Sequence, residues 1–574
     1  MPSKPRLNRK SIAAEIRRRV KSPRFRRHLA GLLVELCRIN TTPNPEVARM
    51  REAEAKCFDI LERELAPLKF AGARTERRPI NPAIKDHPAY SLLHFTRTLE
   101  RPEGLSAEAT YASRSNLLCY LPGHGTGAGQ SVALNAHIDV VAPWFPPRVR
   151  GDRIFGRGAC DDKGAVVTIV GALQVLSEVM AAAGLSWKRN VLAMLVVEEE
   201  TGGNGSLSLA IDRELKRWYD SVLVGEITSL KLHPANRGAV WYAARLEAPG
   251  VPLLELAAFI IEEWEKEGAA LRAESHHELF PQRPVQTCHG RIGPFGEHPS
   301  RICAEVRFNI KFDRAPGPKA ERLVNDCLAA ALTEYTSLYG DKTKVTDPST
   351  GRPMIARHYD CRRRGACLAV AVHGAAGHMG SVRERDGAIT KMAHLVRWLV
   401  RSRARIEALA GGPVRLDLDP PAGDTLLLEG GQGFVPTHDI TEVMDRLNRA
   451  ASRGAENYLR FAGRPERGAD VVRVTYEKLH NAAFEGDPRS RSMRNAIAAA
   501  RDVGIWKNEP IRGWTVSCDA RLFATEYPGM DVLTFGPGLL AHAHSDEEQL
   551  AIPELLQAVE FLAFFLLRQT GSLP

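Results

Sequence analysis

ALNAHIDVVAPWFPPRVRGDRIFGRGACDDKGAVV, residues 133–167, contains the pattern on which the fold turns. It opens as an apolar strand that runs into His137 and Asp139. Some twenty residues later, a loop bounded by glycines carries Asp161 and Asp162, and an apolar stretch starting a helix near Gly164 follows. Strands bury apolar groups, and a carboxylate withdrawn from water needs compensation. A structural ion pair or a metal ion would supply it.

The pattern repeats along the chain. NLLCYL (116–121) and SVALNA (131–136) read as short strands, and the glycine-rich PGHGTGAGQ between them (122–130) as a flexible hairpin loop. No helix follows that loop, as a phosphate cradle would require. NVLAMLVV (190–197) is continuously apolar, as in a sheet covered on both faces. It runs into Glu198, Glu199 and Glu200, followed by a Gly-Gly pair. DSVLVG (220–225) ends at Glu226. GWTVSC (513–518) and DVLTF (531–535) read as later strands, and FGPGLLAHAHSDEEQL places His542 and His544 after the second of these. A last helix starts near Pro553. Alternating strands and helices indicate an α/β domain, and sites on such sheets gather beyond the carboxyl ends of strands.

Each motif has an ordinary alternative: a surface His–Asp pair, an Asp N-cap or a solvated acidic turn. Together they form a donor set rich in nitrogen and oxygen and poor in thiolate. That set suits zinc, manganese or cobalt, and its size suits two ions sharing a carboxylate.

Bulk properties narrow the class. The chain has 574 residues and a net charge of +10, and its ten cysteines form no CxxC pair. Reduced thiols and a cytoplasmic location are the expectation. The N-terminus lacks the apolar core of a secretory signal, and no apolar run long enough for a membrane span is expected. Arginines at 17–19, 24, 26 and 27 resemble a nucleic-acid arm, but Ile12, Ile16 and Val20 keep helical spacing between them. A solvated helix face is therefore expected, with no nucleic-acid partner.

Five motifs occur in order: HxD (137–139), GRGxxDxKG (156–164), EEExGG (198–203), GE (225–226) and GPG…AHSxxE (536–548). This order resembles the di-zinc peptidase and deacylase family of aminoacylase, carboxypeptidase G, acetylornithine deacetylase, succinyl-diaminopimelate desuccinylase and the dinuclear dipeptidases. The similarity runs from INTTPNPE (39–46) to the C-terminus. It implies a zinc-peptidase-like α/β catalytic domain, with a mostly parallel sheet flanked by helices and an inserted α+β lid. It also implies that His137 and Glu226 hold one zinc, Glu200 and His544 the other, and that Asp161 bridges them. Cobalt or manganese could replace zinc. Glu199 would be the general base and Asp139 would orient His137. His542 is the alternative to His544, which has the family's spacing to Glu548. A cis Asp161–Asp162 peptide is compatible with the resemblance. The family's oxyanion donor, a lid histidine, corresponds to His378 in HGAAGHMGSVRERDGAIT (373–390), although the usual proline is absent.

The expected domains are a catalytic domain in two parts, 1–237 and 488–574, around a lid at 238–487. The lid is about twice the usual size and reads as two similar halves, 238–365 and 366–487. The second half would stand in for a dimer partner, giving a functional monomer, with a homodimer as the alternative. Arg301 and Arg307 are candidates for binding a substrate carboxylate. The function implied is metal-dependent hydrolysis of a small peptide or N-acyl amino acid by a deacylase or desuccinylase. The alternatives are a dipeptidase or carboxypeptidase, and a non-catalytic binding protein on the same fold.

Overall fold

A computed structural model of the chain describes residues 8–125, 129–347, 350–383, 385–476 and 480–573. Residues 126–128 of the glycine-rich loop, Glu384 of the 373–390 segment and residues 477–479 of the last lid strand lie outside the described residues. The chain forms two compact units. One comprises Met1–Gly238, Glu278–Pro281 and Asn481–Pro574, the other Ala239–His277 and Gln282–His480.

The first unit is built on a six-stranded sheet in the order Arg74–Pro79, Ser115–Leu121, Val191–Val196, Val132–His137, Ser221–Gly225, Asp531–Phe535. The first two joins are antiparallel and the other three parallel. Every residue of Val132–His137, Val191–Val196 and Ser221–Gly225 is buried. Successive side chains point to opposite faces, so both faces are covered. Helix Lys163–Ala183 packs on strand Val132–His137, and Ile552–Gln569, Pro23–Cys37 and Arg9–Val20 pack on that helix.

Lys163–Ala183 is long and apolar enough to cross a membrane, contrary to the expectation from the sequence, but it is mostly buried inside the fold. Its length and composition reflect burial on nearly all sides.

Two further readings of this unit are corrected. Ser115–Leu121 and Val132–His137 do not form a hairpin, because Val191–Val196 lies between them and pairs with both. GWTVSC is not a strand. It contributes one isolated bridge, Asn236 to Trp514. The N-terminal helix Arg9–Val20 does bury Ile12, Ile16 and Val20. Three of its four arginines are ion-paired: Arg17 with Glu560 at 3.2 Å, and Arg18 and Arg19 with Glu15 at 2.6 and 2.7 Å.

The second unit holds two sheets. One contains the strands Thr287–Ile292, Leu426–Phe434, Gly238–Leu246 and Val472–Thr475 in that order. The other is antiparallel, in the order Tyr359–Arg364, Cys367–His373, Glu305–Phe312, Val414–Leu418. Helices Leu253–Glu274 and Ile440–Phe461 pack together beside the first sheet, and Pro318–Tyr339 and Ala388–Arg401 pack together beside the second. The second sheet is thus nested in sequence within the first. Consecutive halves 238–365 and 366–487 do not describe this arrangement, since each sheet takes strands from both sides of residue 365. That residue lies in the turn between Tyr359–Arg364 and Cys367–His373, where Gly365 adopts φ +62°.

Candidate active site

The parallel strands bring their carboxyl ends to one edge of the sheet. Val132–His137 ends in His137, Val191–Val196 leads to Glu198–Glu200, Ser221–Gly225 leads to Glu226, and Asp531–Phe535 leads to His544. The loop before helix Lys163–Ala183 adds Asp161, and its peptide bond to Asp162 is cis.

His137, Asp161, Glu200, Glu226 and His544 are each at most 8% exposed. Donor atoms of His137, Glu199 and Glu226 lie within 4.8 Å of one another, as do those of His137, Asp161 and Glu200. The two oxygens of Asp161 face different imidazoles. Oδ1 is 3.4 Å from His137 Nε2, and Oδ2 is 3.1 Å from His544 Nε2. His544 Nε2 is also 3.1 Å from Glu200 Oε1. His137 Nδ1 lies 3.0 Å from the carbonyl oxygen of Asp139, which leaves the buried Nε2 aimed at the carboxylates without a hydrogen-bond partner. The side chain of Glu199 is the more open one, at 15%.

Electrostatics set this cluster apart from a structural ion pair. Among the described residues, no lysine or arginine forms an ion pair with Asp161, Glu199, Glu200 or Glu226; only the two imidazoles pair with Asp161, Glu199 and Glu200. Burial, and then the neighbouring carboxylates, push Glu199 and Glu226 well above the usual carboxylate range. Burial opposes charge on His544, yet Glu200 and Asp161 carry its pKa up to about 10. Excess negative charge in low dielectric calls for cations, and the orphaned His137 Nε2 is the kind of donor a metal ion satisfies.

Local structure holds these groups in place. Asp139 accepts from the backbone N–H of Glu199 at 3.2 Å and of Glu200 at 3.0 Å. It therefore orients the Glu199–Glu200 turn as well as lying beside His137. Glu198 has φ +65° and His544 φ +55°, a left-handed conformation that costs non-glycine residues energy and clusters at functional sites. Gly203 has φ +81°, and a Cβ there would lie 2.3 Å from Asp519 Oδ1, so only glycine fits.

Several supporting residues escaped the sequence reading. Glu198 is held by the buried Arg114 and by Tyr111 Oη–H at 2.8 Å, while Arg114 also pairs with Glu54 at 2.6 Å. Arg521 Nη2–H donates to the Gly202 carbonyl at 2.9 Å. Glu548 accepts from the N–H groups of Gly158, Cys160 and Asp161 at 2.9 to 3.2 Å. The constant offset between His544 and Glu548 was the one signal for any of these. His542 is buried as His544 is, and it is His544 that lies 3.1 Å from both Asp161 and Glu200. His378, Arg301 and Arg307 lie in the second unit. Arg301 pairs with Glu297, and Arg307 is half exposed and 3.6 Å from Glu305.

Residues 133–568 match the sequence profile of peptidase family M20/M25/M40. The chain belongs to this family. A peptidase M20 domain-containing protein of Schizosaccharomyces pombe is 31% identical over 150 residues, covering 25% of this chain and 35% of that protein. Succinyl-diaminopimelate desuccinylase of Acidovorax ebreus is 29% identical over 297 residues, covering 45% of this chain and 64% of the enzyme. The matched segments thus span between a third and two thirds of these relatives. Among solved structures, human carnosine dipeptidase 1 superposes with a TM-score of 0.56 at 14% identity, covering 97% of this chain and all of the other. The dipeptidase Dug1p of Saccharomyces cerevisiae gives 0.53 at 13% identity, covering 97% and 98%. These two share the M20 fold. Membership in the family places the chain among hydrolases.

Proposed function

We propose that this M20 chain hydrolyses an amide bond in a small peptide or N-acyl amino acid with a free carboxylate, at a site for two divalent metal ions. The convergence of His137, Asp161, Glu200, Glu226 and His544, with more buried negative charge than the two imidazoles offset, carries this reading. His137 and Glu226 would hold one ion and Glu200 and His544 the other, with Asp161 between them. Zinc, cobalt and manganese all suit the donors. Bound ions supply an acidified water and a polarised carbonyl.

The protein's own groups complete the reaction. Glu199 accepts the proton of the attacking water and delivers it to the amine nitrogen as the C–N bond breaks. Asp139 keeps the Glu199–Glu200 turn in register. His378 is the proposed donor to the oxyanion. Its Nδ1 accepts the Gly380 N–H at 2.9 Å, which leaves the ring proton on Nε2, the tautomer a donor needs.

Elemental analysis of protein purified without chelator tests the site, with about two ions per chain expected. Amine release from a panel of dipeptides and N-acyl amino acids then sorts dipeptidase from deacylase. Glu199→Gln should retain the metal and lose about a hundred- to ten-thousand-fold in kcat. No metal after reconstitution with zinc, or unchanged turnover in Glu199→Gln, would overturn the proposal.

A further inference from the structure

His378 stands at the start of a short turn, Met379–Ser381, and its ring is held through the backbone of that turn. The Gly380 N–H donates to His378 Nδ1 at 2.9 Å. The Ser381 N–H and hydroxyl both donate to the His378 carbonyl, at 3.0 and 2.9 Å. The Gly380 N–H and the Met379 carbonyl belong to one peptide group. That carbonyl accepts from the Gln286 side-chain amide at 3.2 Å, and the next carbonyl, of Gly380, accepts from the same amide at 2.6 Å. A glutamine amide carries two N–H donors, one for each of these carbonyls.

A peptide whose oxygen accepts a hydrogen bond donates more strongly through its N–H. One chain of bonds therefore runs from Gln286 through the Met379–Gly380 peptide to His378 Nδ1. An imidazole nitrogen held as an acceptor leaves the ring proton on the other nitrogen. Both ends of this chain are anchored within the second unit. Gln286 is buried at the entry to strand Thr287–Ile292, and its own carbonyl accepts the Gly433 N–H at 2.9 Å. The Met379 N–H donates to the Ser300 carbonyl at 2.8 Å, and the Met379 side chain is fully buried among Ala239, Trp241, Cys288 and Ile302.

We propose that Gln286 is a positioning residue for His378: it fixes the Met379–Gly380 peptide so that Nδ1 accepts and Nε2 carries the proton. The catalytic consequence rests on His378 being the oxyanion donor proposed above; the effect on the ring does not. Methionine at position 286 matches the length of glutamine but offers no donor. It leaves two buried carbonyls without the amide, and the peptide no longer fixes the orientation of its N–H toward the ring. A glutamine that merely braced the turn would influence stability and leave the ring's proton where it is.

Nitrogen–proton correlation spectra of the full chain carrying isotopically labelled histidine, recorded near neutral pH, test this directly. The His378 signals are those that vanish in His378→Ala. The natural protein should show a single ring form with the proton on Nε2, and Gln286→Met a mixture of the two neutral forms. In the same variant kcat should fall about three- to tenfold while KM stays within about twofold. Adding Gln286→Met to His378→Ala should cost nothing further, since one residue acts through the other. Gln286→Asn keeps an amide but not its reach, and serves should Gln286→Met fail to fold. Retention of the Nε2–H form in these variants, or an equal fall in kcat with and without His378, would overturn the proposal. A shifted ring with unchanged kcat would uphold the role of Gln286 and overturn that of His378 as oxyanion donor.

Discussion

His544 and His233 are both buried histidines of the first unit, and their surroundings drive them in opposite directions. Burial opposes the charged form of each. Glu200 and Asp161 reverse this at His544, raising its pKa to about 10. His233 meets only the carbonyl of Arg512, at 2.8 Å, and burial pulls its pKa from the ordinary 6.5 down to about 4. As pH falls, the unfolded chain therefore protonates His233 before the folded chain does. The stability associated with neutral His233 is complete above about pH 6.5 and is lost as pH falls through the window to about 4. The loss amounts to on the order of 3 kcal/mol at the lower end. Thermal midpoints from pH 8 to pH 4 should fall more steeply for the natural protein than for His233→Asn, which keeps a donor but cannot titrate. Parallel curves would refute this account. At this scale the sequence was legible where chemistry-bearing residues end apolar strands, as His137 and Glu226 do. It was silent on Arg114 and Arg521, whose partners are distant in sequence and follow no local period.

The loop from Gly156 to Asp161 shows how an element is held by one distant side chain. Glu548 is fully buried, accepts three of the loop's N–H groups and pairs with the buried Arg157 at 2.6 Å. Charge-assisted bonds of this kind are strong, and they fix the backbone that presents Asp161. Glu548→Ala strands the Arg157 charge, and breaking a buried pair in this way costs about 3–5 kcal/mol. Denaturant unfolding should show that loss, and metal content should fall with it because Asp161 is no longer oriented. Arg157→Met combined with Glu548→Leu should recover part of the stability without recovering the metal. A single variant as stable as the natural protein would contradict this role. Elements themselves were legible from apolar runs such as 190–197, but their neighbours were not. The supposed hairpin of 116–121 and 131–136 failed because Val191–Val196 pairs with both strands. Sheet order is a long-range property that no local pattern encodes.

At the scale of the whole molecule, the insertion was visible because the five ordered motifs lie outside it, whereas its internal plan was hidden by nesting. Residues 305–418 form a complete sheet with its own helices, placed between strands of the other sheet of the same unit. A sandwich of strands and helices must bury its helical face against something. Here Leu253–Glu274, beside one sheet, packs directly on Ala388–Arg401, beside the other. We expect this packing within the chain to take the place of a contact with a second copy. The expected consequence is a functional monomer. Sedimentation velocity should give one species near 63.2 kDa, and specific activity should stay constant on dilution through the nanomolar range. A twofold dimer whose activity falls on dilution would show that the nested sandwich does not replace a partner. Tenfold-weakened turnover in His378→Ala, not restored by mixing with an inactive Glu199→Gln chain, would place the donor histidine in the same chain as the base it serves.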